Sequence, residues 1–73
     1  MYELRFHNET RRWRVYDGVR LMYPLHCGDP ILLELGGAFH PANIELDTEW
    51  YVALGGTKFW LHTKTKYSVL SLR

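Results

Sequence analysis

Apolar and polar residues alternate along most of this chain. Tyr2, Leu4 and Phe6 are interleaved with Glu3, Arg5 and His7, and Trp13 and Val15 with Arg12, Arg14 and Tyr16. Ala42, Ile44 and Leu46 alternate with Asn43, Glu45 and Asp47, then Trp50, Val52 and Leu54 with Tyr51 and Ala53. A period of two is the pattern of a strand with one buried face. Val19, Leu21 and Tyr23 predict a further strand, stopped at Pro24. Residues 31–35 are a short apolar run bounded by Pro30 and Gly36, too short for a helix. Residues 58–62 carry Phe59, Trp60 and Leu61, apolar on both faces. Residues 67–72 predict a last strand with Leu70 and Leu72 facing one way. No segment repeats apolar residues at the i, i+3, i+4 spacing of an amphipathic helix.

The breaks between these runs are turn chemistry. Asn8-Glu9-Thr10, Asp47-Thr48-Glu49 and Thr63-Lys64-Thr65-Lys66 are polar links. Asp17-Gly18, Gly36-Gly37 and Gly55-Gly56 are two-residue hairpin signals, because both central positions of a type I′ turn need positive φ. Cys27-Gly28-Asp29-Pro30 is a corner. The expected fold is all-β: a small antiparallel barrel, SH3-like or similar, of about six to seven short strands joined by glycine-rich hairpins. Closure would remove the exposed sheet edges that a small all-β chain must otherwise protect.

A chain of 73 residues is one domain with a thin core. Three Trp, five Tyr and three Phe partly offset the small size, since each ring buries a large apolar area. The single cysteine, Cys27, has no internal disulfide partner, and small secreted domains usually carry several. The first residues hold no apolar stretch of the kind a signal peptide needs, and no run approaches the length of a membrane span. These features predict a cytoplasmic protein with no membrane partner.

The net charge of +1 advertises no global attraction to nucleic acid. Its distribution is uneven. Residues 1–28 hold five Arg against three acids, residues 29–57 hold five acids and no Lys or Arg, and residues 58–73 hold four cations and no acid. One reading is that neighbouring strands pair opposite charges across a solvated face. The other is a one-signed acidic ribbon offered to a partner.

Candidate chemistry is thin. Cys27 beside His26 and Asp29 suggests a nucleophile, but adjacent residues on extended backbone point to opposite faces. A small buried thiol in a tight corner is the expected role. Cys27, His7, His26, His40 and His62 lack metal-ligand spacing. Glu45, Asp47 and Glu49 share one parity, which suits a hard cation or simply a polar strand face. The expectation is no catalytic residue, no metal and no cofactor.

Two surfaces remain. Arg11, Arg12, Arg14, Lys58, Trp60, Lys64 and Lys66 combine rings and cations, the ingredients of a nucleic-acid face, unless Trp13 and Trp60 are core. Glu45, Asp47, Glu49 and Tyr51, with Tyr16, Tyr23 and Phe39, are the candidates for a protein-binding patch; Met22 has the same character. Tyr and Met are enriched at interface cores.

The order Leu25-His26-Cys27-Gly28-Asp29, the strand with Ile31 and Leu33, Gly37 with Phe39, Ile44-Glu45, Asp47 and Trp50-Tyr51 resembles a small uncharacterised family of short proteins, a domain of unknown function (DUF5348-like). Trp13, Val15 and Gly18 match its opening hairpin. The resemblance covers about residues 13–54 and fades after Trp60. It implies no activity and no catalytic residue. It implies a setting: Gram-positive bacteria, their phages and other mobile elements.

Together these readings predict a non-enzymatic protein-binding module. In that setting it is a phage or mobile-element protein that binds and modulates, or inhibits, a bacterial host or defence protein. It would act as a monomer or as a homodimer through an edge strand. The alternative is a single-stranded nucleic-acid binder.

Overall fold

The computed structural model describes residues 2–70 of the chain. Eight strands follow one another without a helix: β1 (Tyr2–His7), β2 (Arg12–Asp17), β3 (Arg20–Pro24), β4 (Pro30–Leu35), β5 (Ala38–Leu46), β6 (Trp50–Leu54), β7 (Thr57–Trp60) and β8 (Tyr67–Leu70). They form one antiparallel sheet in the order β3-β2-β1-β8-β4-β5-β6-β7. The chain thus lays down one meander, β1 to β3, and a second, β4 to β7. The last strand joins them by pairing with both β1 and β4.

The inward parity of each strand supplies the core. Leu4, Trp13, Val15, Ile31, Leu33, Ile44, Val52 and Val69 are almost fully buried, and Leu25, Trp50, Ala42 and Leu61 complete the cluster. Their opposition is direct across the ladders: Leu4 faces Val15, Leu33 faces Val69, and Ile44 faces Val52. Each large side chain buried here stabilises the fold by about 1.5–3 kcal/mol. No polar or charged residue is buried among the described residues.

One sheet can enclose a core only by curling, and ring contacts record the curl. Phe59 of β7 meets Tyr67 of β8 edge-on at 6.2 Å, although β4, β5 and β6 lie between them in the sheet. Trp13 of β2 meets the same tyrosine at 5.8 Å. The two meanders therefore face each other across the concave side.

The sheet does not close. Neither β3 nor β7 pairs with a second strand, so the expected barrel of six to seven strands is instead an open, curled sheet of eight. The two free edges differ. The β3 edge carries Arg20, a pairing irregularity and Pro24, devices that discourage strand addition. The β7 edge, Thr57 to Trp60, also carries a cation, Lys58, but no proline or irregularity.

The first hairpin departs from expectation by one residue. Asp17 pairs with Arg20, so the turn is Gly18-Val19 rather than Asp17-Gly18. Gly18 has φ +62° while Val19 keeps a negative φ, the arrangement of a type II′ turn. Val19 is consequently fully exposed, and Leu21 faces outward opposite Tyr16, 43% exposed. Met22 is the extra residue of a bulge between the Tyr16–Leu21 and Val15–Tyr23 pairs. The bulge returns Tyr23 to the inner face, where it packs against the core. At the chain's end Val69 points inward and Leu70 outward, and Leu72 lies outside the described residues.

Candidate functional site

The β5–β6 turn and the strands it joins build the most unusual surface. Val52 and Phe59 take the inner parity of β6 and β7, which leaves Tyr51 and Trp60 paired on the outside. Their rings meet edge-on at 5.1 Å. The ammonium of Lys58 lies 4.9 Å from the Tyr51 centroid and 6.0 Å from that of Trp60. Trp60 is 45% exposed on the free edge strand, so it is not core, whereas Trp13 is fully buried. Glu45 faces Tyr51 on the other side, and Asp47, Thr48 and Glu49 follow as the exposed turn.

At the end of the same strands a cleft of about 540 Å³ opens between this turn, the β1–β2 turn and the link from β7 to β8. Phe6, Trp50 and Trp60 supply its ring walls, and Arg11, Glu49 and His62 its ionisable groups. The indole N–H of Trp50 donates to the carbonyl of Arg11 at 3.2 Å, and the Leu61 N–H to the carbonyl of Trp50 at 3.1 Å. Arg11 ends the first turn at φ +58°. Its N–H donates to the His7 carbonyl at 2.8 Å, and its guanidinium lies 5.5 Å from the Phe6 ring centroid.

The protein-binding candidates divide. Glu45, Asp47, Glu49 and Tyr51 stand on or beside the β5–β6 hairpin. Tyr16 lies on the outer face of β2 under the Arg5 guanidinium, 4.6 Å from its ring centroid. Phe39 faces Glu34 near the far end of β5, and Tyr23 belongs to the inner face. The basic set divides further. Lys58 and Trp60 are together on β7. Arg14 is opposite Arg5 and Arg12 opposite His7 on β2, across most of the sheet. Lys66 acts on Glu3, and Arg11 lines the cleft. The two ion pairs seen among the described residues, Arg5–Glu3 at 2.6 Å and His26–Asp29 at 3.6 Å, are local in sequence.

A family model for a domain of unknown function (DUF5348) matches residues 2–70. The chain belongs to that family. The match runs well beyond residues 13–54, including the last strands where the sequence resemblance had faded. No curated protein matches the chain. No solved structure matches it either.

In this DUF5348 chain the Leu25-His26-Cys27-Gly28-Asp29 segment is a corner clasped to β5. Gly28 N–H donates to the Ile44 carbonyl at 2.7 Å, and Ile44 N–H to the Asp29 carbonyl at 2.9 Å. Cys27 is exposed, not the buried thiol expected. Its sulfur donates to Glu45 Oε1 at 3.3 Å and accepts the Leu46 N–H at 3.4 Å. His26 is turned to Asp29 and does not reach the thiol as a base. Asp47 and Glu49 fall in a turn, so the shared parity with Glu45 is lost. No three His, Cys, Asp or Glu side chains among the described residues converge as metal ligands. No helix of the described residues is long and apolar enough to cross a membrane.

Sequence reasoning missed the cleft. Phe6 and Trp50 read correctly as inward residues, but alternation does not say that they stand at an open end. His62 and Thr63 read only as a polar link, and nothing local to Arg11 signals its left-handed backbone.

Proposed function

We propose that this chain is a non-enzymatic protein-binding module that engages its partner through Trp60, Tyr51 and Lys58 beside the acidic β5–β6 turn. The observation that carries the reading is Trp60, a large ring left 45% exposed on an edge strand whose outer side is free. Aromatic residues of this kind anchor protein interfaces, and a free edge offers backbone groups to an added strand.

The same cluster would suit a stacked nucleobase. Against that stand Glu45, Asp47 and Glu49 next to it, which repel phosphate, and the dispersal of Arg12, Arg14 and Lys66 onto other parts of the sheet. The bacterial mobile-element setting implied by the family resemblance makes a cytoplasmic host or defence protein the class of partner, which the chain would modulate.

The test is affinity capture from host lysate with the intact chain and with Trp60→Ala. Capture of one defined protein by the intact chain, lost in a variant with the same urea midpoint, supports the reading. Equal capture by both, or recovery of nucleic acid alone, removes it.

A further inference from the structure

We infer that the cleft at the open end of the sheet is a peptide site for a carboxylate-bearing, apolar-flanked segment of a partner protein, with Arg11 as the carboxylate receptor. The inference rests on the protein-binding reading and names the chemistry of the partner.

Arg11 is the only non-glycine residue with positive φ among the described residues. A β-carbon in that region is strained, and Gly or Asn would occupy it at lower cost. Strain of this kind persists where the surroundings impose it, and it concentrates at ligand sites. Here the surroundings are explicit: Arg11 N–H is held by His7 and its carbonyl by Trp50. The side chain rests on the Phe6 ring, and no ion pair to Arg11 is formed among the described residues. A positive charge is thus placed at the cleft before any ligand arrives, which lowers the ordering cost of binding.

The rest of the cleft limits what that charge can receive. A volume of about 540 Å³ suits a short segment. Phe6, Trp50 and Trp60 offer ring surface to an apolar residue next to the carboxylate. Glu49, from the opposing turn, repels a second negative charge and accepts an N–H from the segment. A nucleic-acid strand would place repeated phosphates against Glu49. A peptide with one carboxylate avoids this.

The experiment uses a phage-displayed dodecapeptide library and the indole N–H resonances of the full chain. Enriched peptides should carry Asp or Glu beside Leu, Phe or Trp. Synthetic amidated versions should shift the Trp50 and Trp60 indole resonances and leave that of Trp13, which is buried in the core. Arg11→Gly retains the carbonyl that Trp50 needs and suits φ +58°. It should weaken these peptides about tenfold or more, the loss of one charge-assisted contact, without lowering the melting temperature. Arg11→Asn serves as a second strain-free variant and should behave alike.

Enrichment without acidic bias overturns the inference, as does equal affinity in both Arg11 variants. Shifts of the same indoles by oligo(dT), abolished in Arg11→Gly, would make the cleft a nucleic-acid site and overturn it as well. Lysate capture that is lost in Trp60→Ala but unaffected by Arg11→Gly overturns the cleft assignment alone. Absence of any captured protein overturns the binding reading beneath it.

Discussion

The indole N–H of Trp50 donates to the backbone carbonyl of Arg11, 39 residues away, at 3.2 Å. The bond ties the second meander to the first turn of the other, at the end where the sheet stays open. It fixes the carbonyl side of a strained residue and a wall of the cleft with one contact. Trp50→Phe retains a ring and removes the donor. The part-buried Arg11 carbonyl then loses its partner, and stability should fall by about 1–3 kcal/mol. Urea unfolding checks this through the midpoint, and an unchanged midpoint would mean that water replaces the indole without cost.

The first hairpin predicts a contrast between neighbours. A β-carbon at Gly18 would meet nothing within 4 Å, so the cost of Gly18→Ala is the backbone's alone. At φ +62° that cost is about 1–2 kcal/mol. Val19→Asn, at a fully exposed turn position, should lie within about 0.5 kcal/mol of the parent. Thermal unfolding of the two variants measures both. A neutral Gly18→Ala would refute the turn assignment.

Cys27 should react with a thiol reagent in the native state. It is exposed, and its two hydrogen bonds run to a surface carboxylate and one N–H. Labelling should proceed to one thiol per chain at a rate independent of dilute urea. A rate that tracks global unfolding would show the thiol to be enclosed. Cys27→Ser, which can donate and accept in the same way, should change stability by no more than about 0.5 kcal/mol.

Glu3 supplies a pH dependence with a definite sign. Arg5 Nε and Nη2 donate to its Oε1 at 3.0 and 2.6 Å. That hydrogen bonding, with the charges of Arg5 and Lys66, holds the Glu3 carboxyl below its ordinary value despite an opposing contribution from partial burial. Its folded value is the depressed one. The contribution to stability is therefore present above the unfolded carboxylate range and is lost as pH falls through the folded value. Carboxyl carbon chemical shifts should give Glu3 a midpoint below that of an exposed Glu. Arg5→Gln should move the midpoint upward, and an unmoved midpoint would contradict the pairing.

The amino-acid sequence by itself determined the strands, the buried faces of β1, β2, β5 and β6, and two of the three tight hairpins. Those features are local: a period of two selects Leu4, Trp13, Ile44 and Val52 for one face, and Gly36-Gly37 and Gly55-Gly56 fix the turns between them. Asp17-Gly18 marked the right hairpin but the wrong pair of turn residues. Either Asp17-Gly18 or Gly18-Val19 could turn the chain, and only pairing with β2 and a bulge at Met22 chose between them. The run Phe59-Trp60-Leu61 is apolar at both parities, so alternation could not say that Trp60 faces out. Only the tertiary structure decided that the sheet stops short of closure, that Cys27 stands exposed against Glu45, and that Arg11 shares a cleft with Trp50 and Trp60. Each of these depends on how far the whole sheet curls and which distant turns then meet. That is a sum over eight strands, which no single stretch of the chain contains.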